Sequence, residues 1–192
     1  MTELGLGLIE AGHTEDALSV QEAELSVRQR RGDSVRNILA VQGNLVNTYE
    51  ELGRLDEGLR LRQDVYSGTL KLLGAQHIET LIEANNYADN LVTLGQYAEA
   101  KALMRKTIPV ARRVLGDSYD LTLIMRWVYA MALYRDDSAT LDDLREAATS
   151  LEDTVRVARR VLGSAHPDVS SMEDALQEAR AALATREGTK IK

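Results

Sequence analysis

Apolar side chains along this chain recur at steps of three and four residues. The stretch from 81 to 94 shows the pattern: Leu81, Ala84, Ala88, Leu91 and Leu94 fall on one stripe of a helix, with amide and charged side chains between them. Glycine closes such stripes, as at Gly53 and Gly95, where a left-handed cap costs least without a Cβ. Acidic pairs then open the next stripe (Glu15-Asp16, Asp56-Glu57, Asp142-Asp143). Arginines end it (Arg28, Arg30 and Arg31; Arg112-Arg113; Arg159-Arg160), the charge order that a helix dipole favours. The pattern predicts helices at 2–11, 14–31, 34–53, 55–74, 77–95, 97–115, 119–135, 139–162 and 167–187. Only two prolines interrupt 192 residues, so the expected fold is all-α.

The stripes repeat. Residues 51–81, "ELGRLDEGLRLRQDVYSGTLKLLGAQHIETL", align without a gap on 93–123, "TLGQYAEAKALMRKTIPVARRVLGDSYDLTL". Gly53 pairs with Gly95, Gly58 with Ala100, Leu73-Gly74 with Leu115-Gly116 and Thr80-Leu81 with Thr122-Leu123, each 42 residues apart. A weaker copy begins at Gly12. Another runs from 139 to 163, with about five residues inserted near 136–140. A period of this length, two helices per copy, predicts hairpins stacked into a right-handed α-solenoid, in which each first helix lines the concave side. The expected layout is one domain over 1–187, with 167–187 as a C-terminal capping helix and 188–192 as a tail.

Composition narrows the possibilities. The chain is 44% hydrophobic, enough for a continuous core, but has no phenylalanine and only 4% aromatic residues, so leucine, valine and alanine must pack it. The net charge of −7 argues against general attraction to nucleic acid or an anionic membrane. No segment reaches the roughly 20 apolar residues of a membrane span, and the short run from Leu4 to Ile9 follows Glu3 instead of a basic segment. The absence of cysteine excludes thiolate chemistry and suits a reducing compartment, which makes the cytoplasm the expected location.

Particular residues now show a resemblance. Asn85-Asn86-Tyr87-Ala88, Gly95 and Glu99-Ala100, with Gly43-Asn44-Leu45-Val46, Gly53 and Glu57-Gly58 as a substituted copy, are similar to tetratricopeptide repeats of the 42-residue kinesin light chain type. The family's leucine-glycine-x-x-histidine-proline joint stands intact as Leu162-Gly163-Ser164-Ala165-His166-Pro167, and in part as Leu73-Gly74-Ala75-Gln76-His77. The resemblance covers roughly residues 3–170. It departs where Trp127-Val128 replace the asparagine pair, and at the start, where only the latter part of a first helix precedes the joint at Gly12.

The resemblance implies a scaffold or adaptor that binds a peptide segment of a protein partner in the concave groove. It places Asn44 and Asn86 toward that groove, where an amide's donors and acceptor suit a peptide main chain. Asn85 adjoins that position, and Asn47 and Asp89 follow one turn on. Trp127 stands in the place of Asn85 in the next copy, either as an exposed anchor or packed against the adjacent hairpin, with Met131 and Tyr134 following it. Arg126 and Arg135, with Asn86, are candidates to receive an acidic peptide or a terminal carboxylate.

No catalytic, cofactor or metal residues are expected. His13, His77 and His166 sit at hairpin joints too far apart to share a metal, and "GLGLIE" lacks the strand and third glycine of a phosphate loop. Asp136-Asp137 and Asp142-Asp143 read as loop and first-turn residues. A second possibility, from a different class, is an assembly block that self-associates or continues a larger array through Leu4, Leu6, Leu8 and Ile9 of a truncated first hairpin.

Overall fold

A computed structural model describes residues 7–9 and 11–189. The expected contact residues Leu4 and Leu6 lie outside the described residues; Leu8 and Ile9 are half-exposed. Eight long helices follow: α1 (Thr14–Arg31), α2 (Val35–Glu51), α3 (Leu55–Leu73), α4 (Ile78–Thr93), α5 (Tyr97–Leu115), α6 (Asp120–Tyr134), α7 (Leu141–Leu162) and α8 (Pro167–Thr189). Each expected boundary from residue 14 onward lies within a few residues of the observed one. Among the described residues there is no strand, and no helix is long and apolar enough to cross a membrane.

The repeat is written into the backbone of the joints. Gly53 and Gly95 both take φ 71°, and Gly12 takes 78°. The residues that open the following helices, His13, Arg54 and Gln96, share one conformation, with φ from −96° to −82° and ψ from 54° to 58°. Five residues after each glycine comes a buried small residue, Ala17, Gly58 and Ala100, with Ala147 as its counterpart in α7. A small side chain there lets the second helix of a hairpin lie close against the first.

The other joint type uses a histidine. Gly74, Gly116 and Gly163 carry positive φ, and in two of these joints a histidine Nδ1 accepts a backbone N–H two residues on: His77 from Glu79 and His166 from Asp168, both at 3.2 Å. This satisfies a donor that the opening turn of a helix leaves free.

The chain divides into two compact units, Met1–Glu83 and Ala84–Lys192. In the first, α1 packs on α2 and α2 on α3, around Ala17, Leu18, Leu45, Val46 and Val65. In the second, consecutive helices from α5 to α8 pack in pairs and α8 also reaches α6. Met104, Leu123, Leu133, Leu144, Leu151 and Met172 fill that core. α5 continues through Pro109, which is exposed on its surface.

The inserted residues between α6 and α7 form a clasped joint. Asp136 accepts from Lys101 Nζ of α5 at 2.9 Å and from the Ser138 backbone and hydroxyl, while Arg186 of α8 donates to the carbonyls of Asp137 and Ala139. Thr140 and Asp143 then cap α7 reciprocally, each side chain accepting the other's backbone N–H.

Candidate functional site

The first helix of each hairpin carries the expected binding residues. On α2, Asn44 is half-exposed and Asn47 is exposed. On α4, Asn86 is half-exposed and Asp89 exposed. No side-chain hydrogen bond engages Asn44 or Asn86 among the described residues.

Asn47 is partly committed, since its Oδ1 accepts from Arg62 Nη2 at 3.1 Å. That arginine was not singled out in the sequence, yet it organises its surroundings. Its side chain is buried, it donates to Glu50 at 3.2 Å, and it lies 3.8 Å from Glu83. Arg62 shares its repeat position with Gln21, Met104 and Leu151, all buried. A charged residue in a mostly apolar register was the available signal.

Asn85 turns the other way. It is buried, and its Oδ1 has no hydrogen-bond partner among the described residues, although Asn86 beside it faces out. Successive helical residues point about 100° apart, so one member of the pair enters the core. The expectation that places Asn85 with the groove residues is corrected accordingly.

On α6 the expected apolar contacts become packing. Trp127 is half-buried against Leu123, Val155, Ala158, Val169 and Met172. Met131 and Tyr134 are buried, at 7% and 8% exposure, and the Tyr134 hydroxyl donates to Glu178 of α8 at 2.6 Å. Burial and the adjacent Glu178 push the pKa of that hydroxyl up to about 12. Of the two readings, exposed anchor or packed ring, packing against the adjacent helices is the one observed, with α8 packed against α6.

Arg126 and Arg135 are also separated. Arg126 is half-buried and donates to the Ser150 carbonyl of α7 at 3.4 Å. Arg135 lies over the Tyr134 ring at 5.8 Å and 3.7 Å from Glu178 of α8. They face different neighbours and do not form one anion receiver.

Comparison with known proteins agrees with this architecture. Tetratricopeptide repeat models match residues 37–113 and 138–168, together more than half of the chain. Among solved structures, that of a Podosopora anserina putative kinesin light chain with nearly identical TPR-like repeats is similar at a TM-score of 0.76 and 23% identity, over 98% of this chain and 87% of that one. A single-substitution form of that protein matches at 0.79 and 22%, over the same shares. The structure of BtubC (BKLC) from P. vanneervenii matches at 0.70 and 14%, over 98% of this chain and 77% of that one. No curated protein matches. The chain therefore belongs to the tetratricopeptide repeat family, and its all-α fold of stacked helix hairpins is similar to that of these kinesin light chain-like repeat proteins.

Proposed function

We propose that this protein is a non-catalytic scaffold that binds an extended peptide segment of a protein partner along the first helices of its hairpins, Asn44 and Asn86 holding the peptide backbone. Repeats of this family generally mediate protein–protein interaction. The observation that carries the finer statement is the state of Asn44 and Asn86: one repeat position, half-exposed both times, with each amide unspent on the protein. Buried or committed asparagines at that position would have served the fold alone. Exposed Asn47 on α2 and exposed Asp89 on α4 each follow one turn after these asparagines on their own helix. A chain without cysteine suits this role in the cytoplasm.

Ordering a flexible peptide offsets part of the contact energy, which puts the affinity on the order of micromolar. Pull-down beside an Asn44→Ala/Asn86→Ala variant, scored by mass spectrometry, tests the proposal. The captured segment, made as a peptide, is expected to bind the variant about 10- to 30-fold more weakly, since each amide bond contributes about 1 kcal/mol. Equal affinity for both proteins would refute the role of the asparagines.

A further inference from the structure

A cleft of about 520 Å³ opens in the second unit, walled by α5 and α7 and floored by α6. It is not the asparagine face. Its floor residue Arg126 stands two positions before Val128, the counterpart of Asn44 and Asn86, and two helical steps turn a side chain by about 200°.

Four arginines line the cleft: Arg105, Arg112, Arg126 and Arg156. Three carboxylates accompany them, and each is already engaged. Asp117 pairs with Arg112, Asp153 with Arg156, and Glu146 accepts from the Tyr129 hydroxyl at 2.8 Å, which itself accepts from Arg105 Nε at 2.9 Å. Arg126 makes no ion pair among the described residues and holds only the Ser150 carbonyl, at 3.4 Å. Burial lowers its pKa, and the facing Arg112 and Arg156 push in the same direction, while Asp153 and Asp117 oppose them. A half-buried guanidinium without a carboxylate is costly, and a protein of net charge −7 has placed one surplus positive charge in this cleft.

We propose that the cleft floored by Arg126 binds the carboxylate of a glutamate or aspartate side chain on a partner polypeptide. One negative charge neutralises the surplus, and a planar carboxylate matches the guanidinium fork. The three wall carboxylates disfavour a dianionic phosphate. Beside the charges lie Met104, Ile108, Pro109 and Val157, an apolar wall suited to an aliphatic residue next to the acid.

The probe is the peptide Ac-Gly-Glu-Leu-Gly-amide, with its glutamine analogue and inorganic phosphate as comparators. It is titrated into the full chain while the arginine Nε–H resonances are followed by NMR. A saturable shift of Arg126 Nε is expected with the glutamate peptide, at least fivefold weaker with the glutamine analogue. The same shift is expected in Asn44→Ala/Asn86→Ala, which separates this site from the asparagine face. Peptide binding, read from the Ser150 backbone amide, should be lost in Arg126→Met at unchanged circular dichroism. Arg112→Gln/Arg156→Gln, which changes only exposed side chains, should weaken it severalfold even if Arg126→Met fails to fold. Equal response to the glutamine analogue, undiminished binding in either arginine variant, or tighter binding of phosphate than of the glutamate peptide would overturn the assignment.

Discussion

Two glycines of one hairpin have opposite demands. Gly53 sits at φ 71°, where a Cβ meets its own backbone, whereas Gly58 lies inside α3 with ordinary helical geometry. A Cβ built on Gly58 would lie 3.6 Å from Tyr49 Cβ and 3.7 Å from the Val46 carbonyl, normal contact distances. The equivalent residues Ala17 and Ala100 fill this place in neighbouring copies. Urea denaturation should find Gly58→Ala more stable by about 0.5–1 kcal/mol, because alanine loses less backbone entropy in a helix. Gly53→Ala should be less stable by about 1 kcal/mol. The reverse order would mean that α3 does not pack against α2 as described. Arg62 shows the limit of residue-level inference: its repeat register hinted at burial, but the acceptors on α2 and at Glu83 that hold the charge there come only from the tertiary structure.

At the scale of elements, the joint between α6 and α7 is where the repeat is broken and rebuilt. Five extra residues disrupt the short joint used elsewhere, and Lys101, Ser138 and Arg186 hold the longer one closed. Bonds from Ser138 and Lys101 hold the pKa of the Asp136 carboxyl down at about 2, from an ordinary 3.8. A depressed carboxylate contributes stability that is present above its unfolded value and lost as pH falls through its folded value. Asp136→Asn should therefore cost about 1.5 kcal/mol at neutral pH. That difference should shrink between about pH 4 and pH 2, as thermal melts of both proteins across this window would reveal. A gap independent of pH would place the effect in packing instead of charge.

For the whole molecule, charge and local chemistry pull apart. A net charge of −7 opposes a polyanion at long range, although the Arg126 cleft is locally positive. Duplex DNA should show no mobility shift with this protein at about 0.15 M salt, where screening confines the cleft's influence to about 8 Å. A shift would mean that the arginine cluster outweighs the acidic surface.

The sequence by itself determined the helices from residue 14 onward, the joints and the family, because these rest on local physics: three-and-four spacing, positive-φ glycines and the charge order of helix ends act within a few residues. Gly53, Gly95, Gly74 and Gly163 all stand at joints with positive φ, as their place after each stripe implies. Which faces stay open was decided only by tertiary structure. Asn85 and Asn86 have the same side chain, and helical rotation against neighbouring elements buries one and leaves the other half-exposed. Between exposure and packing, both open for Met131 and Tyr134 in the sequence, the structure decides for burial, and the packing of α8 on α6 is encoded by no spacing within α6. Arg126, within α6, and Arg135, at its C-terminal end, meet α7 and α8 respectively, since burial and pairing depend on residues far along the chain.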